Sequence, residues 1–172
     1  MSTTSTAAAI ISLICILSSI SAPFAAPAPS ANGGGKDEES FVIVGQVYCD
    51  PCRIQFPLDI SYPVPNAKVI LECRERENSA VTYTTVGMTD AKGMYNITAP
   101  GDHEEEICDV FVRESPDSKC PEVMDYESLS RVSLTDKNGV RGRTRNANPI
   151  GFMIKEIDPR CYEILKNMGL TN

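Results

Sequence analysis

The chain has 172 residues, 42% of them hydrophobic and 23% charged, and a net charge of −7. These values describe one ordinary globular domain and exclude a disordered polymer. A pI near 4.8 leaves no basic footprint for nucleic acid or for an anionic membrane surface.

Residues 7–20 (AAAIISLICILSSI) form an uncharged apolar run, followed by small residues at Ser21, Ala22, Ala25 and Ala26. About 14 residues fall short of the roughly 20 that span a bilayer, so the run reads as the core of a signal peptide, assigned to residues 1–22. Cys15 leaves with it. Residues 23–40 are rich in Pro and Gly and end in KDEES, the composition of a flexible solvated linker. The folded domain is therefore expected over residues 41–172, in a protein exported to the extracellular space or cell wall.

From residue 41 onward the chain reads as short strands. Runs rich in β-branched and aromatic residues occupy 41–48 (FVIVGQVY), 67–73, 81–88, 94–98, 107–113, 129–135 and 150–154, separated by Pro, Gly, Asn and Asp. Seven such runs predict an all-β fold, an antiparallel sandwich or barrel. Residues 158–169, with Pro159 near the start and Gly169 at the end, are the one candidate for a short helix. In T-D-A-K-G-M-Y, Asp90 can accept hydrogen bonds from the backbone just ahead and Gly93 permits a positive φ, so a tight hairpin is expected there.

Removing Cys15 leaves Cys49, Cys52, Cys73, Cys108, Cys120 and Cys161, an even number in an exported chain, which implies three disulfides among fifteen connectivities. A Cys49–Cys52 bridge is disfavoured because it closes a very small ring and leaves Cys161 untethered. A redox C-x-x-C needs a helix after it, whereas residues 53–65 carry three prolines and no helical period. Zinc needs a second pair of ligands, and the chain has one His and no second C-x-x-C. No metal and no cofactor are expected.

The titratable group Asp102-His103-Glu104-Glu105-Glu106 is the one place where acid–base chemistry could gather, but a charged run between strands reads more simply as a solvated loop. Motifs such as G-x-S-x-G and H-E-x-x-H do not occur. Asn96-Ile97-Thr98 is an N-glycosylation sequon, and strand alternation points Asn96 and Thr98 outward with Tyr95 and Ile97 inward. Lys137, Arg141, Arg143 and Arg145 form a basic loop on an acidic protein, a candidate surface for binding a partner.

The string GQVYCDPCR at residues 45–53 resembles the signature of the Ole e 1-like family of pollen allergens and extensin-like secreted plant proteins. The T-D-x-x-G-x-Y turn, Gly101-Asp102-His103-Glu104 leading to Cys108, Asn148-Pro149-Ile150-Gly151-Phe152 and Asp158-Pro159-Arg160-Cys161 extend the resemblance over residues 41–161. It implies the pairing Cys49–Cys120, Cys52–Cys161 and Cys73–Cys108. It also implies a secreted, non-enzymatic, allergen-like glycoprotein, a binding or signalling module of the cell wall or apoplast linked to pollen or pollen-tube growth. Its partner would be an extracellular receptor or wall component. A protease-inhibitor-like protein is the first alternative, and an enzyme acting on wall polysaccharide the second.

Overall fold

The computed structural model describes residues 39–124 and 129–170. The expected signal peptide, Cys15 and nearly all of the expected linker lie outside the described residues. In chain order the elements are β1 (Ser40–Asp50), β2 (Tyr62–Pro63), β3 (Lys68–Glu75), β4 (Val81–Met88), β5 (Met94–Pro100), β6 (Glu106–Val112), β7 (Glu122–Val123), β8 (Ser130–Val132), β9 (Thr144–Asn146), β10 (Ile150–Met153) and α1 (Cys161–Asn167). Each of the seven predicted runs holds one of these strands, and the three additions are pieces of two or three residues, too short to show a period.

The strands form two sheets, one built on β1 and one in the order β4-β3-β6-β8. Val47 of β1 donates its N–H to Gly93 O at 2.8 Å and accepts from Val64 N at 3.1 Å, which puts β5 and β2 on the same edge of β1. On the opposite edge Val42 N bonds Arg143 O and Val44 O accepts from Ala147 N, so β9 and then β10 run along that side. Both of these pairings are parallel, a departure from purely antiparallel expectation. The cause is the route of the chain: residues 133–143 carry it from β8 in the second sheet to the far edge of β1, and a crossover between sheets does not impose the reversal that a hairpin would.

Alternation supplies the core. Phe41, Ile43 and Val47 of β1, Val69 and Leu71 of β3, Tyr95, Ile97 and Ala99 of β5, and Val110 and Val112 of β6 point inward and pack in one buried cluster. Each fully buried aliphatic or aromatic side chain contributes roughly 1.5–3 kcal/mol, so these faces dominate the stability. Gly45 is required by this packing. The Tyr95 ring lies across it, and a Cβ there would sit 2.2 Å from the phenol oxygen.

The predicted turn at residues 89–93 forms, but the strands it joins do not pair with each other. Asp90 Oδ1 accepts from Lys92 N (2.8 Å) and Met94 N (2.9 Å), and Gly93 has φ 71°. Buried Thr89 donates its hydroxyl to Val64 O and accepts from Ala67 N. β4 belongs to one sheet and β5 to the other because β5 is taken up by seven consecutive pairs with β1. The turn is therefore an arch between sheets rather than a hairpin. At the C-terminus α1 is short, and Gly169 at φ 73° ends it.

Candidate functional site

The corner at residues 49–53 is tightly constrained. Asp50 is fully buried, and its carboxylate accepts from Cys52 N (2.8 Å), Arg53 N (3.0 Å) and Gln55 N (2.6 Å). Those bonds hold Arg53 and Gln55 in the left-handed region, at φ 57° and 60°, which costs a non-glycine residue about 1 kcal/mol or more. Cys49 is bonded to Cys120 and Cys52 to Cys161, while Cys73 is bonded to Cys108 directly across the β3–β6 ladder. These are the three pairs that the resemblance implies. Arg53 reaches Glu122 at 2.5 Å and also donates to the Ile154 carbonyl. Asp158 N bonds Pro51 O, and the Arg160 side chain and backbone N–H hold the Asp158 carboxyl down at about 2. The corner thus joins β1 to β7, β10 and α1.

The acidic loop is also spent on structure. His103 is nearly buried, with Nε2 donating to Pro100 O at 3.1 Å and Nδ1 at 2.5 Å from Glu106 Oε2, and its ring packs on Tyr83. Asp102 accepts from Glu104 N and from the Thr135 hydroxyl, and Glu104 pairs with Lys137. Cys73, His103, Glu106 and Cys108 offer four ligand atoms within 4.8 Å of one another. A metal needs thiolates, and here the two sulfurs are bonded to each other, so this group holds no metal while the bridge is intact.

Three of the four basic side chains of the loop make contacts within the protein. Arg145 is buried: its guanidinium donates to the carbonyls of Ser133, Thr135 and Gly142 and stacks 4.7 Å over Phe41. Arg143 stacks on the same ring and pairs with Asp136 and Glu39. Lys137 is held by Glu104, which raises the pKa of the amine. Of the four predicted partner-binding residues, Arg141 alone is an exposed cation with no partner among the described residues. Asn96 is exposed on β5, beside buried Tyr95 and Ile97.

A different surface was hidden from sequence reasoning. On the outer face of β4-β3-β6-β8, Lys68 of β3 and Arg113, just past β6, are adjacent to the Val69–Val112 pair and so stand opposite each other. Neither has a carboxylate partner among the described residues, while Arg53, Arg74, Arg131, Arg143 and Arg160 each face one. The next row across the strands is apolar, with Val86 and Phe111 each paired with Ile70, and Leu129 beside Phe111. Period-two alternation marks Lys68 and Arg113 as outward, but only the long-range register brings them together.

Residues 39–169 match the family described as "Pollen protein Ole e 1 like". The chain belongs to the Ole e 1-like family. An Olee1-like protein of Betula pendula is 43% identical over 142 residues, covering 81% of this chain and 86% of its own length. The anther-specific protein LAT52 of Solanum lycopersicum is 39% identical, covering 77% of this chain and 82% of its own. Among solved structures, that of the major plantain pollen allergen Pla l 1 superposes with a TM-score of 0.64 at 27% identity, over 72% of this chain and all of that one. The family match spans the corner, the arch and all six bonded cysteines. None of these names is that of an enzyme.

Proposed function

We propose that this chain is a secreted, non-enzymatic protein of pollen that works in the wall or apoplast as a binding or signalling module during pollen or pollen-tube growth. The observation that carries the reading is the family match over residues 39–169, among relatives named as pollen and anther proteins. Three disulfides support export, since such bridges persist in oxidising compartments. The apolar run at residues 7–20 supports the same route. Against catalysis stands the use of the lone His and of Asp102, Glu104 and Glu106 in structural contacts. The proposed partner is an extracellular receptor or wall component, and Asn96 carries a glycan facing away from the core.

Immunolocalisation in anthers and growing pollen tubes tests the reading, together with N-terminal sequencing of secreted material. Expected are wall or apoplast staining, a mature start between Ala22 and Pro27, and a mass loss on glycosidase treatment that maps to Asn96. Exclusively intracellular protein overturns the secreted assignment, and robust turnover in a panel of wall-polysaccharide substrates overturns the non-enzymatic one.

A further inference from the structure

We propose that the outer face of the β4-β3-β6-β8 sheet binds a compact organic anion with an apolar body, of which a medium-chain monocarboxylate is the simplest case. This rests on the reading of the protein as a binding module and names a ligand class and a surface for it. Lys68 and Arg113 lie one step beyond the last β3–β6 pair, Val69–Val112, so the register sets like charges opposite each other at the end of the ladder, an arrangement that is destabilising when nothing neutralises it. Arg53, Arg74, Arg131, Arg143 and Arg160 each face a carboxylate, whereas neither member of this pair does among the described residues. Both cations line one groove of about 330 Å³ together with Asn66, Ile70, Ser115 and Pro116. Glu114 lines the same groove and forms no ion pair with either cation.

Charge and polarity complementarity define the occupant. A single anionic head placed between Lys68 and Arg113 neutralises the repulsion, and an attached hydrocarbon body covers the neighbouring row of Ile70, Val86 and Phe111. Arg113 also lies over the Phe111 ring, 5.2 Å from its centroid, which positions a guanidinium at the junction of the polar and apolar parts. The row beyond is acidic, with Glu72 and Asp109 opposite each other and held by Arg74 and Arg131. A polyanion would set further charges over these carboxylates, so a compact monoanion fits better than a uronic-acid polymer.

The test is an NMR titration of the oxidised, 15N-labelled protein with octanoate. Acetate, octyltrimethylammonium and trigalacturonate run in parallel as head alone, reversed charge and polyanion. Octanoate is expected to shift the amides of Lys68, Ile70, Phe111 and Arg113 saturably, with a dissociation constant below about 1 mM. The double variant Lys68→Ala with Arg113→Ala should weaken it about tenfold or more. Arg113→Gln alone serves if the double variant loses spectral dispersion, and the wild-type contrast between octanoate and octyltrimethylammonium needs no variant at all. No saturation by octanoate overturns the site, as do equal affinity in the variants or shifts centred elsewhere. Trigalacturonate saturating these amides in place of octanoate overturns the ligand class in favour of an anionic polysaccharide. Any of these results leaves the wider binding-module reading to the localisation experiments, which do not depend on this groove.

Discussion

The corner around Asp50 and the outer face around Lys68 use charged residues in opposite ways. In the corner a fully buried carboxylate accepts three backbone N–H groups, two disulfides converge, and Arg53 is fixed by Glu122 and the Ile154 carbonyl. On the outer face two cations stand opposite each other with no ion pair among the described residues, next to apolar side chains left half open to water. The most recognisable string of the chain is therefore a device for folding, where every group is already satisfied. The proposed binding face is where two cations have no ion pair among the described residues, and no compact motif marks that place.

The largest test of this contrast removes the corner's covalent ties. Replacing Cys52 and Cys161 together with Ala opens a loop with a sequence separation of 109. It should cost roughly 4–5 kcal/mol in urea unfolding and release α1, seen as loss of amide-exchange protection after residue 160. Replacing Cys73 and Cys108 opens a separation of 35 between strands already in register, and should cost less. Equal costs would mean that the corner is no more important than the ladder.

Asp50→Ala comes next. It leaves the N–H groups of Cys52, Arg53 and Gln55 without their acceptor while two of those residues stay in left-handed backbone, and should cost about 3 kcal/mol or more. Asp50→Asn keeps one carbonyl oxygen and should cost less. A loss under about 1 kcal/mol for Asp50→Ala would show that the bridges alone shape the corner.

A third effect is alkaline. Burial, and secondarily the charge of Asp50, push the Tyr48 phenol up to about 12. Burial, with a hydrogen bond to Asp117, does the same for Tyr62. An unfolded tyrosine ionises near 10, so the folded state binds its proton more tightly. The stabilisation is complete below pH 10 and is lost as pH rises from 10 through 12, amounting to about 2 kcal/mol for Tyr48. Urea midpoints at pH 9 and 11.5 should differ in the wild type, and the difference should shrink in Tyr48→Phe.

Much of this architecture was legible because alternation is a local property. Residues 67–73, 94–98 and 107–113 announce which side chains face inward, and Asp90 with Gly93 announces a turn. What the turn connects was not legible, because the choice of β1 as the partner of β5 is made by pairing across some fifty residues. The disulfide pairing came from the family resemblance, since spacing leaves many connectivities open. The placement of the basic loop's side chains was not legible for a related reason: Arg145 lies on a three-residue strand whose inward face is set by β1. Its guanidinium is consumed by carbonyls that no linear pattern reveals.

The smallest test addresses the outer face and has an unusual sign. Most substitutions destabilise a protein, yet Lys68→Gln removes one of two like charges that face each other across a ladder and keeps most of the aliphatic stem. The variant should be more stable than the wild type by a few tenths of a kcal/mol, about the size of one cross-strand charge term. Because the repulsion is between exposed groups, salt screens it. The gap between variant and wild type should therefore be widest at low ionic strength and close as salt is added, with the wild type gaining more. Paired urea titrations at about 10 mM and 500 mM salt measure both quantities. If Lys68→Gln is instead less stable at low salt, the Lys68 ammonium is already neutralised within the free protein, and the argument for an anionic ligand at this face fails with it.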